Sequence, residues 1–300
     1  RYRRLFLGVL GAAVVAGAAC SSPEPAAPEP SKASPQAHKA EAAAIHECNI
    51  CGYKGKFDRI GARPDASCKR CKSRERHRLL MHYLEHETPL LRDKLDVLHF
   101  SPMRGETQRL RKLKNLRYVT AEYEANKADL QLDLTALTQP DASWDVLIVY
   151  HILEHIPDDR KAMAEMFRVL RPGGMAILQV PLKTGNLQQK EDPTVVDPKE
   201  RAKEFGQWDH VRMYAAPVLK ERLEATGFVV EAVDYLGKLD PATVEKFSLH
   251  SRTPEKYDEH IWIARKPANA AAAPAAGAPP PAEPAKAEPA TTKPAKAKKK

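Results

Sequence analysis

The sequence predicts an α/β domain built on a parallel sheet and preceded by a small cysteine-held element, and three observations carry this. Residues 144–181, WDVLIVYHILEHIPDDRKAMAEMFRVLRPGGMAILQVP, read as strand, helix, turn and strand. That spacing is a right-handed crossover between parallel strands. Four cysteines between 48 and 71 fall in two C-x2-C pairs, and both chain ends are Ala/Pro-rich and poor in large apolar side chains.

Val146–Tyr150 is an apolar run that gives way to polar His151, Glu154 and His155. Pro157 starts a helix with Asp158 and Asp159 in its first turn, where the positive end of the helix dipole favours acids. Met163, Met166, Phe167 and Leu170 share one face of that helix. Arg171-Pro172-Gly173-Gly174 ends it, and Met175–Val180 is the next strand. Ligands of open α/β sheets sit beyond the carboxyl ends of the strands, where His151–His155 falls.

These residues resemble the class I S-adenosylmethionine-dependent methyltransferases of the type 11 group. The likeness rests on Asp145, H-x-L-E-H-I-P at 151–157 and L-R-P-G-G at 170–174, and extends over residues 95–266. It implies a Rossmann-like sheet, mostly parallel with an antiparallel edge strand, and methyl transfer from S-adenosylmethionine to an acceptor. A non-catalytic module that binds a ligand or partner on the same fold is the alternative. His151-Ile-Leu-Glu154-His155 also fits H-x-x-E-H, the inverted zinc-peptidase pattern, which needs both histidines on one helix face. Pro157 would cut such a helix short.

The resemblance implies a cofactor pocket as well. The first strand, Asp96–Phe100, leads into His99-Phe100-Ser101-Pro102-Met103-Arg104-Gly105, which has one glycine where most relatives have three. It is similar to a subgroup reading V-L-H-F-A-P, and assigns His99, Phe100, Ser101 and Gly105 to the cofactor. Glu122, at the tip of the second strand, suits a ribose diol, because one carboxylate accepts from both hydroxyls. Asp133 stands where relatives accept from the adenine amino group, and His151 lines the cofactor or substrate side. F-G-Q-W-D-H-V-R-M-Y at 205–214 is similar to the same subgroup. Asp209, His210, Arg212 and Tyr214 bind substrate or remove its proton, or else form a buried packing network. His210 and His151 are the candidate bases. Phe228–Val233 and Ile261–Arg265 would close the sheet as an antiparallel hairpin.

Cys48, Cys51, Cys68 and Cys71 form C-x2-C-x16-C-x2-C, the spacing of a tetrathiolate zinc site, with Gly52 suited to the first knuckle. Four thiolates leave no open position, so the Zn2+ expected here is structural. Two disulfides are the alternative in an exported chain. A ~25-residue element has no core of its own and needs such a staple. Ten Lys/Arg between 54 and 78 make this ribbon basic, but with Tyr53 and Phe57 alone it lacks the aromatics of a stacking platform. C-x-x-C-x-S-x-E-R-H-R is also similar to the ribbon ahead of some type 11 methyltransferases, which favours a fixed accessory module over a nucleic-acid reader. Leu79, Leu80, Tyr83 and Leu84 then predict a connecting helix within 76–94, on which His77 and His82 are structural or surface residues.

The chain has 300 residues and a formal net charge of +9. Within 267–300, six lysines against two glutamates supply +4 of that, so the basic balance is partly tail charge. Segments 21–44 and 267–300 are expected to be disordered. Arg1-Tyr2-Arg3-Arg4, the apolar Leu5–Ala19 run and Cys20-Ser21-Ser22 have the layout of a signal peptide with a lipoprotein-like acceptor at Cys20, although Gly17 departs from it. The missing initiating Met suggests a fragment or a misplaced start. Because S-adenosylmethionine is made in the cytosol, a cytoplasmic catalytic domain is favoured over an exported lipoprotein. Partners are then an unidentified acceptor, small molecule or glycan before nucleic acid, with a membrane met only through the N-terminal segment.

Overall fold

The computed structural model describes residues 44–185, 188–250 and 257–270. The signal-like segment, the 21–44 linker up to residue 43 and the tail beyond 270 lie outside them.

A seven-stranded sheet runs through the centre. Strands β5 (Leu95–Phe100), β6 (Leu116–Glu122), β7 (Leu130–Gln131), β8 (Trp144–Tyr150) and β9 (Leu170–Gln179) are parallel, while β15 (Ile261–Arg265) and β13 (Val229–Val233) are antiparallel. The order β13-β15-β9-β8-β5-β6-β7 reverses direction between β8 and β5, where a ligand crevice is expected. Helix α3 (Asp159–Val169) joins β8 to β9. Asp158 caps it, accepting from the Lys161 amide, and Leu170, expected on the helix, begins β9 instead.

Both faces of the sheet are covered, which explains why β8 is apolar at every inner position. Leu147 and Val149 pack with α3 and α5 (Ala216–Ala225), through Met163, Met166, Leu219 and Leu223. Val146, Ile148 and Tyr150 face the other way, onto α1 (Glu75–Glu87) through Leu79, Leu80, Tyr83 and Leu84.

The cysteine element shares that second core. It consists of the hairpins β1 (His46–Glu47) with β2 (Lys54–Gly55) and β3 (Asp58–Ile60) with β4 (Arg63–Ser67). Cys48, Phe57, Cys68 and Cys71 pack in the same cluster as α1 and the sheet. Buried Arg78 ties it down: its guanidinium donates to Ala66 and Ser73 of the element and to Phe247 and Ser248, at and just after the end of α6 (Pro241–Phe247). His77 and His82 are both buried. The Arg74 amide donates to His77 Nδ1, and His82 Nδ1 pairs with the Tyr235 hydroxyl at 2.7 Å.

Candidate functional site

The carboxyl ends of β5 and β8 turn through non-glycine residues in the left-handed region, Ser101 (φ +50°) and His151 (φ +55°). Such conformations cost about 1–3 kcal/mol each and persist where surrounding structure enforces them. The Ser101 amide donates to Ala121 and the His151 amide to Gln179, so each turn is anchored to a neighbouring strand end. Ser101 thus adopts the backbone that a glycine of the relatives' loop would take freely.

Gly105 has another role. A Cβ there would lie 2.9 Å from Cys71 Cβ and 3.1 Å from the Ile50 side chain. The bare backbone admits the cysteine element, so the expectation that Gly105 serves the cofactor is corrected. His99 is corrected as well: it is buried inside β5 with Nδ1 on the Tyr118 hydroxyl, 3.0 Å away. Phe100 is buried in the core on the α3 side.

Glu122 does stand at the tip of β6, half-buried, with no side-chain hydrogen bond or ion pair among the described residues. Asp133 is exposed, and its Oδ1 is held by the Thr135 amide and hydroxyl at 2.8 Å.

A cleft of about 760 Å³ opens at the ends of β8 and β9. His151, Glu154, His155 and Gln179 form its floor, and Phe205–Gln207, His210 and Met213 form one wall. The opposite wall comes from the cysteine element and the start of α1, including Arg63, Arg74 and Arg76. Arg76 Nε is buried there without a hydrogen-bond partner among the described residues. Glu122, Asp133 and Ser101 do not line this cleft, so the predicted site residues fall into two groups along the carboxyl edge of the sheet.

His151 Nδ1 meets Glu154 Oε1 at 3.2 Å, and its Nε2 meets Gln179 Oε1 at 3.2 Å. Burial pushes the Glu154 carboxyl up, but the hydrogen bond from His151 and its charge outweigh burial and hold it below the ordinary carboxylate range. Burial lowers His210 below the usual imidazole range, although its bond to Phe205 opposes this. His151–His155 is not an α-helix. It leaves the strand, forms a single tight turn over Leu153–His155 and reaches Pro157, so the peptidase arrangement is not formed.

The 205–214 segment divides in two. His210 lines the cleft, its ring edge to face with that of His155 at 4.7 Å, and Asp209 Oδ2 lies 3.3 Å from His155 Nδ1. Arg212 and Tyr214 are 1% and 0% exposed, so as catalytic candidates they are corrected to a packing network. Arg212 donates to the carbonyls of Leu153 (3.0 Å), Ile156 and Pro157 (2.7 Å) and pairs with Glu191. Tyr214 donates to Asp159. The network clamps the turn that carries Glu154 and His155. Sequence reasoning missed Glu191, in the two-residue strand Lys190–Glu191 that pairs with Arg212–Met213, and it missed Glu106. Glu106 is fully buried, and burial pushes it up to about 7.

The four cysteines are free thiols, not disulfides. Sγ–Sγ distances are 3.6 Å for Cys48–Cys71 and for Cys51–Cys68. The two knuckles match: the Gly52 amide donates to Cys48 O, and the Lys72 amide to Cys68 O. The hydrogen bond from Cys71 draws the Cys48 thiol well below the ordinary thiol range.

Comparison with known proteins adds a family. Residues 108–178 match the model of a methyltransferase domain of the type 11 group. A probable S-adenosylmethionine-dependent methyltransferase of Mycolicibacterium smegmatis is 35% identical over 105 residues, 35% of this chain and 35% of the relative. The 2-methyl-6-phytyl-1,4-hydroquinone methyltransferase of a Synechocystis species is 30% identical over 101 residues, 32% of this chain and 30% of the relative. The matched stretch thus spans about a third of each relative. The crystal structure of the [4+2]-cyclase SpnF aligns with 75% of this chain and 88% of its own at 19% identity and a TM-score of 0.43. The matched segment lies across β6, β8, α3 and β9, so this part of the sheet is similar to a methyltransferase domain.

Proposed function

We propose that this chain is an S-adenosylmethionine-dependent methyltransferase, with the cofactor at the tips of β5 and β6 and the acceptor in the cleft beyond β8 and β9. The observation that carries the reading is the division of the carboxyl edge into these two groups. Glu122 has a carboxylate free for a ribose diol, Asp133 retains Oδ2 for the adenine amino group, and the left-handed turn at Ser101 exposes backbone beside them. When bound, the cofactor supplies an electrophilic methyl group for in-line displacement. The protein's part is to hold the acceptor atom ~3–3.5 Å from that methyl and to exclude water. An acceptor that keeps its proton near neutrality needs a base, and His210 on the cleft wall is placed for it.

The acceptor we propose is a small molecule or glycan carrying an anionic group. The cleft has the size of a small-molecule site, and Arg63, Arg74 and Arg76 line one wall. A nucleic-acid acceptor fits less well, because Phe57 is buried and Tyr53 is stacked on it at 6.2 Å, leaving no aromatic platform. We place the catalytic domain in the cytosol, where the methyl donor is made. No helix among the described residues is long and apolar enough to cross a membrane.

The cysteine element would hold one structural Zn2+ through Cys48, Cys51, Cys68 and Cys71. The fit is geometric: four sulfurs at Zn–S bonds of ~2.3 Å form a tetrahedron with edges of ~3.8 Å. The observed Sγ separations of 3.6 Å are close to that.

The cofactor placement is tested by calorimetry on Glu122→Ala and Asp133→Ala. Each orphaned hydrogen-bond partner should cost about 1–3 kcal/mol, roughly one to two decades in affinity. Unchanged binding in both variants would move the pocket elsewhere.

A further inference from the structure

We infer that Glu154, His155 and His210 form a second metal site, open to the cleft, which takes a divalent transition-metal ion through two imidazoles and one carboxylate. One donor atom of each lies within 4.8 Å of the other two. Small side-chain rotations bring such a set onto one ion at bonds of ~2.0–2.2 Å.

The ring orientations fit. His210 Nδ1 donates to the Phe205 carbonyl at 3.0 Å, and His155 Nδ1 to the Asp209 carboxylate at 3.3 Å. Each ring is thereby fixed with Nε2 as the nitrogen that keeps a lone pair. This outer bonding is the arrangement that orients metal-binding histidines.

Glu154 supplies an independent observation. It is 1% exposed, Oε1 is held by His151, and Oε2 has no partner among the described residues. A buried carboxylate oxygen left unpaired costs free energy that a cation beside it would recover. The two segments that carry the ligands are locked together, the Val211 amide donating to Glu154 O at 2.9 Å and Arg212 holding the carbonyls on either side.

The site differs from the cysteine cluster in its donors and from the H-x-x-E-H reading in its residues. Nitrogen and oxygen donors suit Zn2+, Fe2+, Mn2+, Co2+ or Ni2+ over Mg2+ or Ca2+. Three protein ligands leave positions free toward the cleft, where a water or an acceptor oxygen can bind and lose its proton more easily. That use rests on the methyltransferase reading, with the ion in place of His210 as a base. Metal binding itself does not depend on it.

The test uses the full chain, loaded with one equivalent of Zn2+ to fill the thiolates and then titrated calorimetrically with Co2+ without S-adenosylmethionine. One further equivalent of Co2+ should bind. Glu154→Gln and His155→Gln should abolish that uptake, and Asp209→Asn, which loses only the outer bond, should weaken it about ten- to hundredfold. His155 is partly exposed, so His155→Gln should keep the wild-type melting profile. No uptake beyond the first Zn2+, or wild-type uptake in both ligand variants, overturns the site. Because the titration contains no methyl donor, this inference and the methyltransferase reading fail separately.

Discussion

The cysteine cluster and the Glu154–His155–His210 cluster are both candidate ligand sets, yet they are built in opposite ways. The first has four thiols, three of them buried, on two matching knuckles that pack into the sheet core. The second has mixed donors, two of the three residues buried and Glu154 Oε2 without a partner among the described residues, beside a cleft. A closed set of identical ligands can only hold structure, whereas an open, mixed set can exchange a ligand. The difference separates the part of the chain that builds the cleft from the part that would act in it.

The largest expected effect lies in the closed cluster. Zinc in such elements supplies ~10–16 kcal/mol of apparent binding energy. Cys68→Ser should therefore lose the metal and the ordered packing of the element, read as zinc content and near-ultraviolet dichroism. A wild type without zinc, or a variant that melts like it, would break the comparison. The open cluster predicts a smaller loss. Arg212→Met leaves Asp159 and Glu191 short of a partner and frees the clamped turn. Removing one member of a buried ion pair costs about 3–5 kcal/mol, measurable by urea unfolding, and zinc content should stay at wild-type level. A cost below ~1 kcal/mol would mean that the clamp does not support the turn.

Much of this was legible in the sequence because it depends on local patterns. The strand–helix–strand unit at 144–181, the paired cysteines and the acid at the end of β6 each show in spacing or periodicity. What stayed hidden depends on contacts distant in sequence. Gly105 resembled a cofactor-loop glycine, and only the packing of Cys71 against it reveals its role. Arg212 and Tyr214 share a polar segment with His210, yet both turn onto Asp159, a contact distant in sequence that no local pattern shows. The arginine wall of the cleft comes from an element that sequence reading treated as an appendage.

The central claim is that this carboxyl edge holds a methyl donor. The direct measurement is calorimetric titration of the purified full chain with S-adenosylmethionine. Saturable binding of one equivalent is expected, with a dissociation constant on the order of micromolar, about −8 kcal/mol. No heat of binding at millimolar cofactor, from a chain that is folded and carries its zinc, would contradict the account and leave the fold as a module without transfer.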